Sequence, residues 1–242
     1  MPTGREQNGN RSERDDASGR ISDSIGGFVT TGLQVLIPAG NTRLAGDLAI
    51  PDRTSGIIIF AHSNGSRHNL NTRRLATALQ QAGFATLLMD LLTPQEASID
   101  DNTDHFRFDI ELLRGRLIAA TSWVLNTPEL VDFPIGYLGW KTGAAAALEA
   151  ASQHPEIIKA IVLCDGRPDL VESILPKVKS ATLCVVESSD YPIAEWNRQA
   201  LKKINGIKKL ITLSESDVRG RTVMDQVAIL AGDWFREYLT EY

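Results

Sequence analysis

The chain has 242 residues, with 25 Lys and Arg set against 30 Asp and Glu, a formal net charge of −5 and no basic cluster, which argues against a nucleic-acid partner. Its length and its 43% hydrophobic, 23% charged composition suit one large buried core. No apolar run approaches the roughly 18–20 residues needed to cross a bilayer. Residues 1–20 lack the apolar centre of a secretory signal, and Cys164 and Cys184 fall inside apolar runs as buried thiols, so a cytoplasmic protein is expected.

Residues 1–26 are rich in Arg, Asp, Ser, Gly and Asn and hold too little apolar surface to offset ordering, so they read as a flexible tail; residues 27–242 read as one domain. Stretches 32–38 (GLQVLIP) and 43–50 (RLAGDLAI) flank the turn signal Ala39-Gly40-Asn41 and predict an antiparallel hairpin. Residues 56–61 (GIIIFA) form an unbroken, β-branched run, the mark of a strand covered on both faces. A helix over 71–82 follows, with Leu75 and Leu79 on one stripe, then a strand over 84–89. Residues 106–125 have helical spacing with Phe108, Leu112, Leu113 and Leu117 inward. Beyond them come strands over 134–138, 157–164, 181–186 and 208–213, with helices over 142–152, 169–178, 193–204 and 222–239. An antiparallel start followed by alternating strands and helices predicts an α/β fold, a mainly parallel sheet with helices on both faces. Sites in such sheets form where loops leave the carboxyl ends of the strands.

One such loop reads Gly139-Trp140-Lys141-Thr142-Gly143 and runs straight into Ala144-Ala145-Ala146-Ala147-Leu148. Glycines two residues either side of a central residue, between a buried strand and a helix, define a nucleophile elbow. The central residue normally attacks a carbonyl carbon and is Ser, Cys or Asp; here it is Lys141. Phe60-Ala61-His62, Gly65-Ser66-Arg67-His68, Met89-Asp90-Leu91-Leu92-Thr93, residues 134–148 and Asp165-Gly166-Arg167-Pro168-Asp169-Leu170 occur in an order and spacing that resemble the dienelactone-hydrolase-like branch of the α/β-hydrolases.

That resemblance implies a three-layer α/β-hydrolase fold from about Gly32 onward and a triad running nucleophile, acid, histidine along the chain. By position the nucleophile falls on Lys141, the acid on Asp190 and the histidine on Asp217. A second observation needs no family: the four histidines are His62, His68, His105 and His154, so nothing C-terminal of residue 154 can serve as an imidazole base. Lys141 between Asp190 and Asp217 predicts a salt-bridged plug, and predicts that Lys141→Ala sets two carboxylates against each other and lowers stability. Oxyanion donors would be the Thr142 amide and the Ser63-Asn64 loop, with Trp140, Cys164 and Asp165 bordering the remaining pocket. The expected protein is a triad-degenerate hydrolase relative that senses a small anionic ligand or binds a protein partner, without cofactor or metal. The alternatives are an ester or lactone hydrolase with a displaced nucleophile (Cys164, Ser63 or Ser66) and covalent lysine chemistry at Lys141. The sequence leaves the oligomeric state open.

Overall fold

The computed structural model describes residues 32–63, 67–214 and 222–239; the expected tail over 1–26 lies outside them. Eight strands form one sheet in the order β1-β2-β4-β3-β5-β6-β7-β8. β1 (Gly32–Ala39) and β2 (Thr42–Ala49) make the predicted hairpin, closed at Gly40 with φ +63, and β2 pairs antiparallel with β4 (Ala85–Asp90). The rest is parallel: β3 (Ile57–His62), β5 (Ile135–Trp140), β6 (Ile158–Cys164), β7 (Ala181–Glu187) and β8 (Lys208–Leu213).

The unbroken apolar runs have a simple cause. Successive side chains of a strand face opposite ways, and both faces of this sheet are covered. Ile57, Ile59, Ala61, Ile135, Tyr137, Ile161 and Leu163 point into one core, shared with α3 (Ile110–Leu125) and α4 (Thr142–Gln153). Ile58, Phe60, Leu138, Val162 and Cys164 point into the other, covered by α1 (Leu70–Gln81) and α6 (Val223–Tyr238).

Local signals set the helix ends. The Asn69 side chain accepts from the amides of Asn71 (2.9 Å) and Thr72 (3.2 Å) to start α1, and Gly83 at φ +92 follows its end. Thr222 and Asp225 form a capping box at the start of α6. Phe235 of α6 is fully buried against the Phe84 ring edge at 6.1 Å, and only a glycine at 136 lets it in: a Cβ there would stand 2.8 Å from its ring.

The structure corrects the expected elements in four places. A helix absent from the sequence reading, α2 (Pro94–Thr103), precedes α3, which begins at Ile110 rather than 106 because Asp109 caps it by accepting from the Leu112 amide. Phe108, placed on the inward stripe, is exposed. Residues 168–177 form a 3₁₀ helix (Pro168–Lys177), with Val171 off helical geometry at φ −133 and Pro176 inside it. The remaining helix, α5 (Tyr191–Lys203), starts two residues earlier than its spacing predicts.

Candidate functional site

β5 ends at Trp140 and α4 begins at Thr142, so Lys141 alone turns the chain. Its backbone adopts φ 50, ψ −118, a region that costs an L-residue on the order of 1–3 kcal/mol. The two glycines are steric necessities. A Cβ at Gly139 would lie 2.6 Å from Ala144 Cα, and one at Gly143 would lie 2.0 Å from the Ala61 carbonyl oxygen. α4 therefore sits directly on β3 and β5, and the turn has no room to relax. The next loop stitches it from the side: the Lys141 amide donates to Cys164 O (3.2 Å) and the Arg167 amide donates to Lys141 O (3.1 Å).

The Lys141 side chain is exposed, and none of the ion pairs among the described residues includes it. The expected plug is not formed with Asp190. That carboxylate is exposed and caps α5, accepting from the Ile193 amide at 3.4 Å. Asp217 lies outside the described residues.

Asp165 occupies the comparable position after β6 and is also strained, at φ 44. Its amide donates to Val185 O (3.0 Å) and its Oδ1 accepts from the Glu187 amide (3.1 Å). Burial pushes its carboxyl up, and the charges of Glu187 and Asp190 push the same way; the Glu187 amide and the Lys141 charge oppose them, and the net direction is upward. Cys164 beside it is fully enclosed, and burial, then Asp165, then Cys184, hold its thiol well above the ordinary range. A thiolate is the attacking form, so this setting works against Cys164 as a displaced nucleophile.

Trp140, Cys164 and Asp165 do border one cavity, of about 250 Å³, whose walls also include Glu187, Met224 and Val227. Thr142 is buried at the start of α4, where the first amides have no acceptor within the helix. Ser63 is half-buried just past β3, whereas Asn64 and Ser66 lie outside the described residues. Among the described residues no group of three or more His, Cys, Asp or Glu side chains is placed to hold a metal ion, and none of the helices is long and apolar enough to cross a membrane.

The sequence model of the dienelactone hydrolase family matches residues 44–210, a stretch that contains both strained turns. The chain belongs to the dienelactone hydrolase family. A dienelactone hydrolase crystal structure from Anabaena variabilis is 42% identical, with a TM-score of 0.82 over 87% of this chain and 99% of that one. A dienelactone-hydrolase-like promiscuous phosphotriesterase from metagenomic libraries shares the fold at 18% identity and a TM-score of 0.70, over 88% of this chain and 99% of that one. A protein of Mycobacterium tuberculosis H37Rv, provisionally named a phosphoribosyl transferase, is 39% identical over 237 residues, 95% of this chain and 52% of that protein. The chain thus spans about half the length of the curated relatives it matches.

Two arginines of this family member have roles that the sequence reading missed. Arg167 forks onto Asp169 (2.9 and 2.8 Å) and lies 4.4 Å from the Trp196 ring centre and 6.0 Å from that of Phe108, which accounts for both exposed aromatics. The only available signal was the Gly166-Arg167-Pro168-Asp169 string itself. Arg67 is only 14% exposed and ties the loop after β3 to the sheet, reaching Asp47 at 2.9 Å and Asp90 at 3.5 Å. Arg73 reinforces it through Asp47 (3.2 Å) and Arg67 O (2.9 Å).

Proposed function

We propose that this is a catalytically silent member of the dienelactone hydrolase family, which keeps the elbow as a rigid recognition surface and has lost covalent attack. The observation that carries the reading is Lys141, held at φ 50 with its side chain exposed in the position where attack chemistry needs a hydroxyl, thiol or carboxylate. Support also comes from the absence of any histidine after His154, which leaves the triad order without a base. The Asp190 position keeps its acid, so the loss concerns nucleophile and base together.

The test is hydrolysis of p-nitrophenyl acetate and labelling by a fluorophosphonate, for the parent and for Lys141→Ser/Asp217→His. The parent is expected to do neither, and the double variant to gain both. Parent turnover as fast as the variant's, or parent labelling at Ser63 or Ser66, overturns the reading. Borohydride trapping of an aldehyde on Lys141 would replace it with covalent lysine chemistry.

A second reading concerns partners, and the half-length match to the M. tuberculosis relatives favours it. We propose that this chain works beside a phosphoribosyl-transferring module, corresponding to the part of those relatives outside the match. Co-elution with that part, expressed separately, supports the pairing; independent elution at ~10 μM, a concentration sufficient for standard-sized interfaces, opposes it.

A further inference from the structure

We propose that the cavity beside the elbow is a binding site for a small organic cation, an ammonium head on an apolar or aromatic body. This deepens the reading of the chain as a recognition protein and rests on it.

The cavity's roughly 250 Å³ suit a small molecule, and its walls are of two kinds. Val185, Val186, Leu213, Met224, Val227 and Trp140 give an apolar lining. Among the described residues the charged groups in the lining are both carboxylates, Asp165 and Glu187, with no Lys or Arg beside them. An anionic ligand would have to enter against both charges, and a neutral one would leave them uncompensated. A cation would gain from both, and an ammonium near an indole ring gains again. A divalent metal is a poorer fit, because it seeks several hard oxygen ligands where this wall is mainly hydrocarbon.

Asp165 supplies the second line of support. It is half-buried, and of its two oxygens Oδ1 accepts from the Glu187 amide while Oδ2 accepts no hydrogen bond among the described residues. Its backbone is strained at φ 44, and such strain persists where the surroundings over-determine a position, commonly at ligand sites. Lys141 is close enough for its charge to reach Asp165, yet it forms no ion pair with it and is not part of the cavity wall. Burial and the neighbouring acids both disfavour charge on Asp165, and a bound cation would relieve both penalties at once.

The experiment is calorimetric titration of the full chain with benzylammonium, benzyl alcohol and benzoate, three probes of nearly one shape and different charge. Benzylammonium is expected to bind, benzyl alcohol to bind roughly tenfold or more weakly, and benzoate not measurably. Asp165→Asn keeps the backbone shape, since Asn tolerates positive φ, and is expected to weaken benzylammonium by roughly tenfold or more; Glu187→Gln should weaken it by less. Melting temperatures of the unliganded variants report folding, and Glu187→Gln stands in if Asp165→Asn does not fold. Equal binding of the ammonium and the benzoate, no ammonium binding, or unchanged affinity in both variants overturns the proposal. Ester turnover by the parent would overturn catalytic silence while leaving these affinities as they are, so the two failures are distinguishable.

Discussion

Lys141 carries the elbow strain without a side-chain partner among the described residues. Lys141→Gly is therefore expected to stabilise the fold by about 1 kcal/mol, the relief of strain less the extra freedom a glycine gains on unfolding. Urea midpoints at pH 7 check it, and a fall in stability would contradict it. Lys141→Ala keeps the strain and should lie within about 0.5 kcal/mol of the parent, which replaces the sequence-based expectation of a loss. The Lys141–Asp190 pair of the expected plug is absent for a local reason. Asp190 sits three residues before a helix amide it can cap, Ile193, and such a bond forms without closing a long loop. Gly143→Ala is the opposite case. Its Cβ would stand 2.0 Å from the Ala61 carbonyl, and since that obstacle is backbone, a loss of about 3 kcal/mol or failure to fold is expected.

At the scale of elements, α2 shows why some structure escaped the sequence. Its residues, PQEASIDDNT, have no apolar stripe, and only Asp100 among them is buried. Two arginines hold the helix instead. Arg116 reaches Leu91 O and Glu96 at 2.6 Å each, while Glu96 also closes the capping box with Thr93. Arg107 grips fully buried Asp100 at 2.6 Å through Nε and at 2.9 Å through its own amide. The Thr93-Pro94-x-Glu96 start was a legible signal, but the long-range arginines were not. Burial raises the Glu96 and Asp100 carboxyls, and their bonds to Arg116 and Arg107 outweigh it, so both end below their ordinary ranges. Folded values below the unfolded ones mean stability that is present above the ordinary carboxylate range and lost as pH falls through the folded values. Arg107→Ala leaves the Asp100 charge buried with backbone amides as its remaining partners, those of residues 106 and 107. A loss of about 2–3 kcal/mol is expected at pH 7, below the ~3–5 of fully buried pairs, and it should shrink as the solution is acidified towards pH 3. A penalty that does not change with pH, in urea melts, would show that the charge is not its source.

For the whole molecule, the order of strands and helices was readable because a sheet covered on both faces leaves continuous apolar runs. Phe235 ties the two layers through β5, so Phe235→Ala should cost about 3–5 kcal/mol, read as a shifted urea midpoint with unchanged slope. The elbow was readable for a similar reason, since Gly139 and Gly143 are demanded by backbone contacts rather than by chemistry. The cavity was readable only in part: Trp140, Cys164 and Asp165 follow from their places at the carboxyl ends of β5 and β6, but the rest of its wall comes from β7, β8, α1 and α6, and no short stretch of sequence reports that convergence. The stitching of the two strained turns has one further consequence. Lys141 and Asp165 share a hydrogen-bonded frame in which Cys164 O and the Arg167 amide both attach to residue 141. A ligand at the Asp165 turn therefore meets a frame already set by the elbow, because moving that turn would also have to move a backbone locked at Gly139 and Gly143, and the cavity is pre-organised rather than shaped by what enters it.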